Sequence, residues 1–333
     1  MELVPCPISG DRDFSPWIEA PDRFDLGGST WPIVRSNTSG LLMLNPRPEE
    51  SEASGHYPPR DYDPFLHNGN AGSARDRAYL LASSVLMGRK ASIVMDGLRK
   101  PAGSVRILET GCSTGRLLNR LRRKYGIPAQ NLWGIEPDHL AASAARRSGL
   151  THIHETAIDE TPFGCCFDRI VLWHVLEHIH RIGAALDSAF RMLEPDGRLV
   201  IALPNADSYD AAEYGAGWIA LDAPRHLYHF TPETLGRLLE RYGFSVVDIR
   251  AFAPDTLYNV WYSEKLSATM AGRRFGIRAA ARAAASAARS LLAGTDPARA
   301  SVFVCRAVRR RQEICPSGTV RPSDFSSSTE ATR

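Results

Sequence analysis

Val105-Arg106-Ile107-Leu108-Glu109-Thr110-Gly111-Cys112-Ser113-Thr114-Gly115-Arg116-Leu117-Leu118 decides how the rest of this chain reads. An apolar run ends in a carboxylate, a turn of small residues follows, and leucines then recur at helical spacing. That is the pattern of a strand, a glycine turn and the first turn of a helix. N–H groups at a helix start lack helical partners, the helix dipole is positive there, and glycine lets a ligand approach the main chain. The turn is therefore expected to hold a cofactor, with its N–H groups facing outward.

Downstream of this turn, strands and helices alternate. Val105–Leu108, Leu132–Ile135, Thr151–His154, Phe167–Trp173, Leu199–Leu203, Phe244–Phe252 and Ser301–Val308 read as strands. Gly115–Tyr125, His139–Ser148, Gly183–Leu193 and Pro232–Tyr242 read as helices. This rhythm predicts a doubly wound α/β fold, a mainly parallel sheet with ligands at the C-terminal ends of its strands. Upstream, Arg75 to about Lys100 suits a helix leading into the first strand, with Tyr79, Leu80, Val85, Leu86, Ile93, Val94 and Leu98 as its apolar positions.

Three kinds of site use such a turn. A nicotinamide fingerprint requires glycine at 111, 113 and 116, and positions 113 and 116 are Ser and Arg. Gly111-Cys112-Ser113-Thr114-Gly115 also spells the G-x-S-x-G nucleophile elbow, with Asp168 or Asp196 and then His226 in the order of a hydrolase triad. That elbow normally follows several strands, one carrying an oxyanion loop, whereas this sheet begins at Val105; a hydrolase also leaves Glu109 without a role. The third pattern, an acidic residue, then glycine, a small residue and glycine at alternate positions, is met by Glu109, Gly111, Ser113 and Gly115.

The third pattern resembles the first motif of class I S-adenosylmethionine-dependent methyltransferases, with Ser113 standing where the family usually has glycine. Trp133-Gly134-Ile135-Glu136-Pro137-Asp138 closes the second strand with a carboxylate able to accept both ribose hydroxyls, the contact expected of a βαβ unit. Phe167-Asp168-Arg169-Ile170-Val171-Leu172-Trp173-His174-Val175-Leu176-Glu177-His178 resembles the family's fourth strand and following helix. Leu193-Glu194-Pro195-Asp196-Gly197 feeding Leu199-Val200-Ile201-Ala202-Leu203 resembles its fifth-strand motif. Pro224-Arg225-His226-Leu227-Tyr228-His229-Phe230-Thr231-Pro232, followed by Gly243-Phe244, resembles the branch related to ubiquinone-biosynthesis and sugar methyltransferases. The resemblance implies a Rossmann-like seven-stranded domain that binds S-adenosyl-L-methionine and methylates a small molecule or sugar, most readily at oxygen.

In that branch a zinc-ribbon-like segment often precedes the domain. Cys6-Pro7-Ile8-Ser9-Gly10 and Ser36-Asn37-Thr38-Ser39-Gly40 have knuckle spacing, but three of the four ligand positions are serine, and a hydroxyl is a poor zinc ligand. A metal-free remnant is the reading. The expected organisation is a degenerate module over 1–45, a linker and lead-in helix over 46–100 with Tyr57 and Tyr62 as anchors, the domain over 101–309 with a helical insert at about 258–296, and a disordered tail over 310–333.

Cofactor contacts are expected from Glu109, Gly111, Cys112, Ser113, Gly115, Glu136 and Pro137, from Ile158 and Asp159 at the adenine, and from Trp173 beside the methionine portion. Methyl transfer needs an aligned acceptor and, for a hydroxyl, a base. His174 and His178, four apart at the start of a helix and hence on one face, are candidates, as are His226 and His229 in a loop that can close over the acceptor. His174-x-x-Glu177-His178 also spells the signature of inverted zinc peptidases, but it abuts a strong parallel-type strand within a string of methyltransferase motifs, and no metal is expected.

Composition bounds the remainder. With 333 residues, 44% of them hydrophobic, the chain can bury a full core, and a net charge of +3 gives no footprint for nucleic acid. The N-terminus lacks a signal-like apolar core, no run is long enough to span a bilayer, and the six cysteines are scattered. A cytoplasmic chain with reduced thiols is expected. From Ser267 to Ala293 an Ala-rich helix carries Arg274, Arg278 and Arg282 at steps of four, a basic face open to solvent or to anionic lipid or a glycan carrier.

Overall fold

The computed structural model describes residues 1–57, 74–160 and 163–310. The N-terminal part forms β1 (Phe14–Asp22), β2 (Asp25–Ser36) and β3 (Leu42–Leu44), and α1 (Ala74–Met95) leads into the main domain. There β4 (Ile107–Thr110), α2 (Arg116–Tyr125), β5 (Leu132–Ile135), α3 (His139–Arg147), β6 (His152–His154), β7 (Phe167–Trp173), α4 (Ile182–Met192) and β8 (Leu193–Pro204) alternate. The chain continues through α5 (Tyr209–Tyr214), β9 (Tyr228–His229), α6 (Pro232–Arg241), β10 (Phe244–Ala251), α7 (Thr256–Met270), α8 (Ile277–Ala293) and β11 (Val302–Arg309).

Seven strands form one sheet in the order β10-β11-β8-β7-β4-β5-β6. Only β11 runs against the others, pairing antiparallel with both β8 and β10. The doubly wound sheet is thus as the alternation predicts. Every residue of β7 is buried, as a central strand between β4 and β8 with both faces covered requires. Helix starts follow side-chain chemistry. Asp138 accepts from the Ala141 N–H at α3, and Thr231 with Pro232 opens α6.

The N-terminal strands are long, nine residues in β1 and twelve in β2, and their pairing is interrupted by two shifts of register. Strands β1 and β2 form a hairpin, and β3 joins it to β9, giving a second sheet in the order β1-β2-β3-β9. This part is therefore built onto the loop before α6. The turns at 6–10 and 36–40 meet, with Cys6 Sγ 3.1 Å from Ser39 Oγ, and Gly10 and Gly40 close them by N–H bonds to the Cys6 and Ser36 carbonyls.

Two further expectations are corrected. Residues after β7 do not enter a helix at once: one 3₁₀ turn at Leu176–His178 intervenes, and α4 starts at Ile182. The insert before the last strand is two helices, α7 and α8, divided at a turn where Gly272 has φ +66°. It is tied down by buried Asp210, which accepts from Ser290 Oγ (3.0 Å), Ser301 Oγ (2.9 Å) and Trp218 Nε1 (3.0 Å). Tyr62 and the tail from 311 lie outside the described residues.

Candidate active site

The turn after β4 sits at the C-terminal end of the central strand. Gly111 has φ +67°, and a Cβ there would lie 2.5 Å from Val175 Cγ2; at Gly115, φ +73°, it would lie 2.4 Å from Leu150 Cδ1. Both positions need glycine on two counts. Ser113 shares the left-handed backbone, at φ +47°, without being glycine. The N–H groups do not face outward as expected: those of Gly111 and Cys112 donate to the Ile135 carbonyl, that of Ser113 to Glu136, and that of Gly115 to the Cys112 carbonyl. A turn whose donors are spent internally is not a phosphate cradle.

What the turn presents instead is carboxylate. Glu136 accepts from the Ser113 N–H (2.8 Å) on one oxygen and the Asp138 N–H (3.0 Å) on the other, leaving each oxygen a second lone pair for a hydroxyl. Burial raises its pKa, and those N–H groups pull it back. Glu109 is buried, with Oε2 accepting no hydrogen bond, and burial pushes it up to about 8 against the pull of the Lys90 ammonium. A buried carboxylate with one oxygen left unpartnered calls for a cationic or donor ligand. Pro137 separates Glu136 from Asp138, and Cys112 is buried beneath the turn.

Lys90 and Asp255 are site residues that sequence reading missed. The Lys90 ammonium lies 4.6 Å from the centre of the Trp173 ring, on the side of Glu109 and Asp255. Burial lowers the Lys90 pKa and those two carboxylates oppose it. Asp255 accepts from His174 Nε2 at 2.9 Å, while His174 Nδ1 is 3.6 Å from Glu177. Burial depresses the His174 pKa, but the two carboxylates outweigh it and hold the ring at about 9, charged at neutral pH. Its backbone is left-handed, at φ +55°, where a non-glycine residue is strained.

Beyond Glu177 lies a histidine cluster. His174 and His178 do not share a helix face, because the segment between them is a 3₁₀ turn; His178 instead packs edge to face on His226, 4.6 Å between centroids. His178 Nδ1 is 3.0 Å from the Arg225 carbonyl and 3.1 Å from the Tyr57 hydroxyl. An N–H donated to that carbonyl leaves Nε2 as the free lone pair. His226 and His229 are buried and donate to the Ala220 and Leu221 carbonyls; burial pushes them down to about 3 and about 4, so both are neutral. Neither Glu177 oxygen has a hydrogen-bond partner, and Glu177, His178 and His226 bring one donor atom each within 4.8 Å of one another. Such a group can relay a proton or hold one divalent cation. The peptidase-like set His174, Glu177 and His178 does not assemble on one helix.

Arg225 locks this loop. Its buried guanidinium bonds Asp222 (2.9 Å), Asp22 of β1 (2.8 Å) and the His56 carbonyl (3.0 Å). Burial disfavours the Asp222 carboxylate, yet Arg23 and Arg225 overcome it and hold the group down at about 2. Ile158 is buried, and Asp159 faces Arg181 at 3.2 Å. The hydrolase reading fares poorly: among the described residues no strand of the seven-stranded sheet precedes β4 to carry an oxyanion loop, and His226 belongs to the Glu177 cluster.

A family model described as a methyltransferase domain matches residues 73–249, over half of the chain. The ubiquinone biosynthesis O-methyltransferase of Rhodopseudomonas palustris (strain HaA2) is 28% identical over 177 residues, covering 50% of this chain and 67% of that one. The mitochondrial ubiquinone biosynthesis O-methyltransferase of Mus musculus is 26% identical over 233 residues, covering 64% of this chain and 61% of that one. Among solved structures, magnesium protoporphyrin IX methyltransferase of Synechocystis PCC 6803 aligns with a TM-score of 0.48 at 11% identity, over 78% of this chain and 100% of that one.

Proposed function

Because this chain belongs to the S-adenosylmethionine-dependent methyltransferase family, we propose that it O-methylates a hydroxyl-bearing small molecule with His178 as the base. The observation that carries the proposal is the run of groups from Glu109 and Glu136, past Lys90, Trp173 and His174, to the Glu177 histidine cluster. Glu136 would receive the ribose hydroxyls, the unpartnered oxygen of Glu109 the cationic half of the methionine portion, and Lys90 its carboxylate. Ile158 and Asp159 stand as the adenine contacts. Bound there, S-adenosylmethionine supplies an electrophilic methyl group on a sulfonium.

His178 is half-buried and reachable, whereas His226 and His229 are buried. Its Nε2 takes the acceptor proton as the oxygen attacks, and Glu177 stabilises the imidazolium that forms. His174, already charged, positions Glu177 and Asp255. The O-methyltransferase names of the relatives favour a small molecule over the sugar acceptor also expected. Knuckle geometry at 6–10 and 36–40 supports the reading of a metal-free zinc-ribbon remnant. Transfer of label from methyl-labelled S-adenosylmethionine to a panel of phenols and alcohols tests the proposal. His178→Ala should lower kcat by about 10²-fold or more with cofactor affinity unchanged; an unaltered kcat would remove His178 from its role.

A second reading has the Glu177, His178 and His226 cluster hold a divalent cation that lowers the acceptor's pKa, favoured by the absence of a hydrogen bond to either Glu177 oxygen. Metal analysis of the purified protein separates the two. Stoichiometric zinc or another divalent ion, with activity lost to a chelator, would establish the cation.

A further inference from the structure

Apart from Asp255 at the start of α7, the α7–α8 hairpin takes no part in the site just described, and its tip carries an unusual surface. From Lys265 to Thr295 the sequence has six basic residues and no acidic one. Arg282 is engaged by Glu264 at 2.6 Å. Arg273, Arg274 and Arg278 are exposed and form no ion pair with any described residue. Among them stand apolar side chains that the fold leaves in water. Ile277 is 88% exposed and Met270 44%, and Trp261, 44% exposed, packs edge on against Phe275 with 4.8 Å between centroids.

We propose that this tip docks the protein on the surface of an anionic phospholipid bilayer. The arginines complement phosphate headgroups, while Ile277, Met270 and the Trp261–Phe275 pair enter the boundary between headgroups and acyl chains. Charge and apolarity point to the same occupant. A nucleic acid would satisfy the arginines but leave Ile277 in water. A second copy of this tip would cover Ile277 but set arginines against arginines. The hairpin can carry such a load because buried Asp210 ties α8 to α5 and to the start of β11. An aromatic-apolar tip rimmed by cations also lets the protein leave the surface again, since nothing here spans: no helix of the described residues is long and apolar enough to cross a membrane.

Flotation of the full chain with large vesicles tests the proposal. The protein should float with phosphatidylglycerol-rich vesicles, remain behind with pure phosphatidylcholine, and be released by raised salt. The triple variant R273E, R274E, R278E should bind at least about 100-fold more weakly, given the worth of each cation near an anionic surface. Ile277→Asp, which leaves every arginine in place, should also weaken binding, by about tenfold. Both variants should keep the parent's melting temperature and its affinity for S-adenosylmethionine. The proposal is overturned if the parent does not float, if it floats equally with both vesicle types, or if both variants float as well as the parent. It is equally overturned if the parent instead binds DNA or RNA in preference to the vesicles, or if sedimentation shows a dimer that Ile277→Asp dissolves while no vesicle is bound.

Discussion

Glu109 illustrates how much a single side chain decides. A carboxyl held at about 8 by burial is mostly protonated at neutral pH in the free protein. A cation arriving beside it favours the ionised form and lowers that pKa, so binding releases a proton. Affinity for S-adenosylmethionine should therefore tighten as pH rises, by up to about tenfold per unit, and level off above about 8. Calorimetry across this range, in buffers of different ionisation enthalpy, measures the proton release, and Glu109→Gln should remove that part of the slope. At the partner carboxylate, Glu136→Ala deletes the acceptor that also orients the Ser113 N–H. The expected loss is about 10²-fold in cofactor affinity with the fold intact, since hydrogen bonds to a charged group are each worth roughly 1.5–3 kcal/mol. Ser113 separates the rival chemistries: Ser113→Ala would abolish a serine hydrolase, but here should leave turnover largely in place. Ser113→Gly relieves a left-handed backbone and should raise stability by about 1 kcal/mol in denaturant unfolding, whereas a large loss would mean the hydroxyl has a role.

The elements that position these residues were legible in the sequence to different degrees. Strand β7 and the helices of the α/β domain announced themselves through length and apolar runs, both local properties. The meeting of two carboxylates at the turn was also readable, because Glu109 and Glu136 each end a strand and therefore must arrive at the same edge of a parallel sheet. The segment after β7 was not. His174-x-x-Glu177-His178 has helical spacing, but His174 is bound by Asp255, from the start of α7, in a backbone no helix contains. Lys90 had no signal at all; a lysine near the end of a helix is ordinary until tertiary packing lays it over Trp173. Nor could the sequence reveal that β3 pairs with β9, which makes the N-terminal hairpin a support for the histidine loop. At this scale, Arg225→Met should destabilise the protein by about 3 kcal/mol, because it takes from the buried Asp222 carboxylate one of its two guanidinium partners and from half-buried Asp22 its ion pair. Chemical denaturation checks the loss. A neutral result would show that the N-terminal hairpin is held by β-pairing alone.

At the scale of the whole molecule, the parts divide the labour. The parallel sheet brings two carboxylates to one edge, α1 covers them with a cation, and the hairpin sheet with the 222–230 loop closes the far side with neutral histidines. Beyond Asp255, the α7–α8 hairpin stands outside this arrangement, with Arg273, Arg274 and Arg278 exposed near its tip. The central claim is that the turn after β4 holds S-adenosylmethionine and not a dinucleotide or an acyl substrate. Isothermal calorimetry of the full chain with S-adenosylmethionine, S-adenosylhomocysteine and NADH tests it most directly. The account predicts saturable binding of the first two at one site per chain, lost in Glu136→Ala, and none of the third; binding of NADH alone, or of none of them, would contradict it.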